Sequence, residues 1–471
     1  MTALHAPVHV ESGPFAGSVP QVMERLRASF GSGVTRSLDW RESQIDGVIA
    51  FAKDHTNELL DTMFADLGRP RVEGWTADLG STISEAQYLR KHFRKWAAPR
   101  RSRLPLPILP GSARIMPEPL GVALIISPWN YPVNLLLAPL AAAFAAGNVA
   151  VTKPSELSPA TSSYIARHLP KYLDGGSFSI FEGGPEVATE LLEERFDHIF
   201  FTGSTRVGKV VMTAAAKHLT PVILELGGKS PAIVADDADL EVAGNRIAWG
   251  KGLNAGQTCL APDYVLVTEE NRDALITSIS AAWQRFYGGA PQESADFGRI
   301  VSRRHHHRLV ELLKGQDVVV GGDYDEETKY LAPTIVVDPD LDSPLSTEEI
   351  FGPILPIITV ESVQEAIRFV NERPKPLALY VFGKGEATID RVLERTSSGG
   401  ACVNHVLLQF TAPELPFGGV GLSGMGRYHG KSGFDAYSNL KGVVRKPTSG
   451  ENNLLYPPYS RRKSAILRKL G

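Results

Sequence analysis

The chain uses two hydrophobic periods, and the change between them divides it. Before Ala98, the stretches VMERLRASF, QIDGVIAFAKDHTNELLDTMFADLG and EAQYLRKHFRKWA repeat apolar residues at three and four positions, the spacing of amphipathic helices. These helices are expected to cover one face of a sheet. From Gly121 onward, the apolar runs GVALIIS (121–127), VAVTK (149–153), SFSIF, HIFFT (198–202) and PVILEL alternate with helical segments. The helical segments are NLLLAPLAAAFAAG, a stretch from about Ser158, one near Pro185 to Glu194 and one from Thr205 to Lys217. Short strands without a polar face, joined through helices, predict a parallel sheet covered on both sides. A second alternating series begins near Ser230, with PAIVA, YVLVT, TIVVD, LPIITV, LALYVFG and GGACVN as strands. The predicted fold class is α/β, with two parallel-sheet domains.

Three segments fall outside this rhythm. Gly13, Pro14, Gly17 and Pro20 predict that the first 18 residues form a loose arm. From Ala98 to Pro119 the prolines recur too closely for a helix or a central strand, so an exposed hairpin or arm is expected. Its Leu104, Leu106, Ile108 and Leu109 would be poorly buried on a single subunit and point to a partner subunit. The tail from Asn452, NNLLYPPYSRRKSAILRKLG, is interrupted by prolines and then basic, as an extension over the surface would be.

Composition narrows the choice of partners. A chain of 471 residues exceeds one compact core, so two large domains with appended elements are expected. Its 49 Lys and Arg against 52 Asp and Glu give a net charge of -3, which argues against a nucleic-acid partner and for small neutral or weakly charged ones. Only two cysteines, Cys259 and Cys402, occur, which argues against a disulfide framework and suits a reducing compartment. No basic leader and no apolar run near the roughly 18 residues of a membrane span is present, so a soluble cytoplasmic protein is expected.

Several segments carry residue types suited to chemistry. IFFTGSTRVGK reads as strand, glycine turn and helix, where unpaired amides can hold a phosphate oxygen, although Gly203 and Gly208 do not make GxGxxG. VTKPSE places Lys153 and Glu156 at the carboxyl edge of the sheet, where lysine suits phosphate or ribose oxygens and a carboxylate suits ribose hydroxyls. SPWNYP aims Asn130 at the same edge, a neutral donor able to hold an oxyanion together with the nucleophile's own amide. In GQTCLAP the chain around Cys259 is permissive, as a reactive thiol requires. In VILELGG, burial should raise the Glu225 carboxyl toward neutrality and improve it as a general base.

Taken singly, each of these has an ordinary reading: a plain βα turn, a solvated loop, a turn asparagine, an inert buried cysteine, a salt-bridged glutamate. Cys402, on an apolar strand without a nearby base, keeps the inert reading. His305, His306 and His307 are adjacent in RRHHHRLVELLKG, so on a helix they point about 100° apart; a solvated helix and no metal site is expected.

Together, PWN, KPSE, FTGS with Gly208, LELGGKSP, GQTCLAP, EEIFGP (348–353) and PFGGVGLSGMGRYHG (416–430) resemble the aldehyde dehydrogenase superfamily. They appear in family order across most of the chain, and the YPP-containing tail looks like the class 3 branch, which prefers fatty and aromatic aldehydes.

The resemblance implies a cofactor domain over 1–97 and 116–224, a catalytic domain over 225–427, a bridging and oligomerisation arm from 98–115 and 428–451, and a tail over 452–471. It implies Cys259 as nucleophile, Glu225 as general base, and Asn130 with the Cys259 amide as oxyanion hole. The cofactor, NAD or NADP, would be held by Trp129, Lys153, Ser155, Glu156, Gly203, Ser204, Gly208, Leu226, Gly227, Glu349 and Phe351. Tyr131, Leu135, Phe410, Thr411 and Phe417 would line an apolar substrate funnel. The implied reaction is NAD(P)-dependent oxidation of an apolar aldehyde to the acid through a thiohemiacetal and a thioester, by a homodimer whose basic tail allows peripheral membrane association. A CoA-acylating dehydrogenase, a nicotinamide-independent cysteine hydrolase and a noncatalytic relative are the alternatives.

Overall fold

In the computed structural model, which describes residues 17–450 and 453–470, the first alternating region forms a six-stranded sheet. Its spatial order is Gly424–Met425, Val222–Glu225, His198–Thr202, Val122–Ile126, Val149–Lys153 and Phe178–Ile180. The last five are parallel, and Gly424–Met425 returns from far along the chain to pair antiparallel with Leu224 and Glu225. The chain runs outward one way from Val122–Ile126 and then, from His198–Thr202, the other way. The connections at these two strands' carboxyl ends therefore diverge and open a crevice.

Strand alternation explains the two-sided burial. Ala123 and Ile125 pack with helices Leu38–Asp54, Gly80–Ala97 and Asn134–Ala146. Val122, Leu124 and Ile126 pack on the opposite face with helices Val19–Ser32, Pro185–Glu193 and Thr205–Ala216.

The expected arm up to Ser18 lies, but for its last two residues, outside the described chain. Pro20, read above as a breaker, instead sits in the first turn of helix Val19–Ser32. There a missing N–H costs nothing, and the Ser18 amide donates to Gln21 Oε1 at 3.0 Å.

The second sheet contains all six strands expected after Ser230. Its order is Val318–Val320, Thr334–Val337, Ile354–Val360, Tyr264–Thr268, Pro231–Val234, Ala378–Phe382 and Gly400–Val403. Only Val318–Val320 is antiparallel, an edge strand too short to declare a period in the sequence.

A third sheet joins Arg100–Ser102, Ser112–Pro119 and Ser438–Arg445, all antiparallel. Ser112–Pro119 is its middle strand, contrary to the expectation that its prolines exclude a central position. The reason is local: Arg100–Ser102 pairs only with residues 113 to 115, so Pro117 and Pro119 have a neighbour on one side alone. Leu106 and Leu109 beside it are exposed, as expected, whereas Leu104 and Ile108 are half-buried. The tail does not simply extend: after its prolines it forms helix Arg461–Leu470 against the Leu106–Ile108 turn. Among the described residues no helix is long and apolar enough to cross a membrane.

Candidate active site

Leu226–Ser230 runs from the carboxyl end of the first sheet to the start of the second, so the crevice of one faces the loops that enter the other. A cavity of about 550 Å³ lies there, lined mostly by apolar side chains. Its walls bring together Trp129, Asn130, Tyr131, Leu135, Gly203, Ser204, Glu225, Leu226, Gly227, Cys259, Glu349, Phe351, Phe410, Thr411 and Phe417. Those residues are dispersed over almost 300 positions of sequence. Lys153, Ser155, Glu156 and Gly208 stand outside this wall. Lys153 Nζ is 3.2 Å from Glu156 Oε2 at the end of its strand, Ser155 Oγ accepts the Leu157 amide at 3.2 Å, and Gly208 packs under Leu226.

Cys259 stands on a bent connection between helix Leu240–Gly252 and strand Tyr264–Thr268. Asn254, Ala255 and Gly256 have φ of +52°, +50° and +73°, three successive left-handed residues that reverse the chain abruptly. A side chain at Gly256 would place its Cβ 2.2 Å from the Gly352 carbonyl, so only glycine permits this turn against the EEIFGP loop. Gln257 fixes the turn: its amide donates to Asn254 and Arg299 carbonyls at 3.0 and 2.9 Å and accepts from the Val301 amide at 2.9 Å. The Cys259 thiol is pushed up to about 12, by burial first and then by the charges of Glu349 and Glu225, against the pull of the Cys259 and Leu260 amides. Among the described residues the charges acting on it are both carboxylates, so the sulfur holds its proton at neutral pH.

Glu225 ends the strand Val222–Glu225, and both its carboxylate oxygens are buried without a hydrogen-bond partner among the described residues. Burial therefore raises this carboxyl well above the ordinary range, and the charge of Arg427 only partly opposes the shift. An unpartnered buried carboxylate is costly for stability, and such sites are commonly functional.

Asn130 is held from both ends. Its Nδ2 donates to the Gln257 carbonyl at 3.1 Å, which occupies one N–H and leaves the other. Its carbonyl accepts from Arg69 and, at 3.2 Å, from Asn254 Nδ2. Arg69 is buried, pairs with buried Asp78 at 3.0 Å, donates to Asn254 Oδ1 at 3.1 Å and lies 4.6 Å from the Tyr131 ring centre. Arg69 thus ties the Asn130 loop to the Cys259 turn. Arg69→Met should lower stability by about 3–5 kcal/mol through the stranded Asp78. It should also slow the first chemical step by about 10- to 100-fold through a displaced Asn130; melting and rapid-mixing kinetics check both.

The three histidines part company, correcting the expectation of a solvated helix. His306 is buried, with Nε2 at 2.8 Å from the Tyr330 carbonyl; His307 pairs with Glu326 at 2.7 Å on the surface; His305 lines the cavity 5.5 Å from Trp129. Three adjacent helical residues meet three environments because each step turns about 100°. Among the described residues no group of three metal-ligating side chains assembles.

The sequence pattern of the aldehyde dehydrogenase family matches residues 19–443, nearly the whole described chain. The chain belongs to the aldehyde dehydrogenase family. This aldehyde dehydrogenase is 47% identical over 447 residues to aldehyde dehydrogenase family 3 member B1 of Rattus norvegicus, covering 94% of this chain and 96% of that one. A substrate-bound AldH from Staphylococcus aureus superposes with a TM-score of 0.94 at 41% identity, covering 97% of this chain and 100% of that one. An indole-3-acetaldehyde dehydrogenase complexed with NAD+ superposes with a TM-score of 0.82 at 28% identity, over 90% and 88% of the two chains.

Several cavity and network residues of this aldehyde dehydrogenase escape a reading of its sequence. Arg69 and Asn254 carry no signal beyond being polar, Gln257 and Tyr428 lie inside GQTCLAP and PFGGVGLSGMGRYHG with nothing local to mark their roles, and Glu73 and Trp249 stand outside every motif. Lys229 of LELGGKSP does not face the chemistry: it binds Asp263 and the carbonyls of Leu345 and Glu348 at 2.9 Å, anchoring the EEIFGP loop. The Glu349 carboxylate lies against Gly227, 2.0 Å from where a Cβ would stand, so a side chain there would displace it.

Proposed function

We propose that this aldehyde dehydrogenase oxidises apolar aldehydes to free carboxylic acids with NAD or NADP, through a covalent thioester on Cys259. The observation that carries this reading is the unpartnered Glu225 carboxylate in the same cavity as the Cys259 thiol. The Cys259 thiol gives its proton to solvent water, the thiolate sulfur attacks the aldehyde carbon, and the oxyanion that forms is held by the free N–H of Asn130 and the Cys259 amide. A nicotinamide, when bound, supplies the acceptor for the hydride lost as thiohemiacetal becomes thioester. Glu225 then takes a proton from water as its oxygen attacks the thioester carbon, and the C–S bond breaks to release the acid.

The residues present suit such a cofactor. The N-terminus of helix Thr205–Ala216 opens through Gly203 and Ser204 into the cavity, a favourable place for a pyrophosphate. Lys153 and the exposed Glu156 stand at the carboxyl edge beside it, suited to ribose hydroxyls, with Ser155 next to them. Glu156 repels a 2′-phosphate, whereas Lys153 and Ser155 accept one. Glu349, with its carboxyl raised to about 7 by burial and by Asp263, lies against Gly227 and would meet the second ribose, with Trp129 and Phe351 packed edge to face at 5.3 Å alongside.

Apolar substrates fit because Tyr131, Leu135, Phe410 and Phe417 stand with other apolar side chains on the wall, beside the exposed Thr411. Residues 1–97 and 116–224 form the cofactor domain of this reading, and 225–427 the catalytic domain. Exposed Leu106, Leu109, Leu440 and Val444 on the arm support pairing with a second copy, over 98–115 and 428–451. The exposed basic helix Arg461–Leu470 favours an anionic surface.

Incubation with a long-chain or aromatic aldehyde and NAD or NADP should give one free acid per reduced nicotinamide, whether or not coenzyme A is added. Acyl-CoA as the product would favour the CoA-acylating alternative. Acid release from esters but no aldehyde-dependent nicotinamide reduction would favour the hydrolase.

A further inference from the structure

Glu225 is not the only polar group buried without a partner on this cavity. Tyr428, from the PFGGVGLSGMGRYHG segment, is 1% exposed, and its hydroxyl has no hydrogen-bond partner among the described residues. Its ring is fixed by Phe200, Phe417 and His429 at centroid distances of 5.0, 5.5 and 4.5 Å. Its backbone exchanges two hydrogen bonds with Phe417, at 2.8 and 2.9 Å. A residue so held cannot swing its hydroxyl elsewhere to find a partner. Tyr428 lines the cavity together with Glu225 and Cys259. The charges that act on its hydroxyl are, in order, those of Glu225, Cys259, Glu85 and Tyr437.

A buried hydroxyl and a buried carboxylate, each unpaired among the described residues and each on the wall of the cavity that holds the nucleophile, are complementary toward one molecule: water. We propose that Tyr428 is a catalytic residue for thioester hydrolysis, its hydroxyl holding the attacking water jointly with the Glu225 carboxylate. This rests on the reading of Glu225 as the base that makes free acid. The water donates one hydrogen to Glu225 and accepts from the Tyr428 O–H, which leaves its second lone pair directed at the thioester carbon. As the new C–O bond forms, the proton passes to Glu225; collapse of the tetrahedral adduct breaks the C–S bond and returns the electron pair to Cys259 sulfur. Tyr428 transfers no proton. Burial and the neighbouring Glu225 raise its hydroxyl well above the ordinary range, so it remains a donor at every working pH. Formation of the thioester uses Asn130 and the Cys259 amide, and Tyr428 has no part in it.

The Tyr428→Phe variant keeps the ring and its three aromatic contacts and removes only an unpaired hydroxyl, so it should melt no lower than the parent enzyme. In rapid mixing with aldehyde and NAD or NADP, its burst of reduced nicotinamide should match the parent's in amplitude and lie within about 3-fold in rate. Decay of the Cys259 acyl adduct, followed by mass spectrometry of acid-quenched samples, should slow by about 10- to 100-fold. Added hydroxylamine, which needs no positioned water, should restore turnover as the hydroxamate. Adduct decay within 2-fold of the parent, or a slowed burst with unchanged decay, would overturn the proposal, the latter placing Tyr428 in substrate binding. Glu225→Gln in the same assay separates the two readings: decay slowed there but not in Tyr428→Phe removes Tyr428 alone, and decay slowed in neither removes the base as well.

Discussion

Cys259→Ala should abolish aldehyde-dependent nicotinamide reduction, by at least about 10⁴-fold, because no other thiol faces the cavity to form the covalent adduct. Cys402, the second cysteine, is half-buried on strand Gly400–Val403, outside the cavity wall, and cannot substitute. Binding should survive the change, so titration of NAD or NADP by fluorescence ought to give nearly the parent affinity. Labelling provides a second readout of the same thiol. Since burial and two carboxylates push it up to about 12, little thiolate exists at pH 7 in the cofactor-free enzyme. Iodoacetamide should therefore modify Cys259 slowly at neutral pH and faster with each step toward alkaline pH, as peptide mass spectrometry would show. A rate independent of pH, or unimpaired turnover in Cys259→Ala, would remove the covalent reading.

Glu225→Gln should leave the first half of the reaction and stall the second. The burst of reduced nicotinamide should persist, while hydrolysis of the acyl enzyme falls by about 10²- to 10⁴-fold, the usual contribution of a positioned general base. The sign of the pH dependence follows from burial. The carboxyl is raised well above the ordinary range and acts only when it has lost its proton, so acyl-enzyme hydrolysis in the parent should climb as pH approaches the raised value and level off above it. In Glu225→Gln that plateau should vanish. Stability runs the opposite way. A carboxyl that keeps its proton in the folded state and loses it when unfolded destabilises the fold increasingly as pH rises through its raised value. The Gln variant should thus melt higher than the parent at alkaline pH, by scanning calorimetry, and show no gain in acid. A variant both inactive and more stable would identify Glu225 as a residue retained for chemistry at the expense of the fold.

Much of this was legible in the residues because it depends on local period and turn chemistry. All five parallel strands of the first sheet and all six of the second declare themselves as short apolar runs between helical stretches, and PWN, LELGGKSP and GQTCLAP name three groups suited to acyl chemistry. What failed did so for tertiary reasons. The central placement of Ser112–Pro119 depends on where its neighbour ends, and the two-residue strand Gly424–Met425 exists only because Leu224 and Glu225 offer an edge. The burial of His306 depends on a carbonyl 24 residues away.

The sequence by itself determined which elements form and which side chains have the chemistry for acyl transfer, since periodicity and functional groups are properties of adjacent residues. Only the tertiary structure decided their environments. It left Glu225 without a partner, pinned one N–H of Asn130 to Gln257, placed Arg69 between the two loops, and brought Tyr428 within the same walls as Cys259, 169 positions earlier in the chain. Desolvation and hydrogen-bond satisfaction are sums over everything packed around a group. No stretch of neighbouring residues contains them.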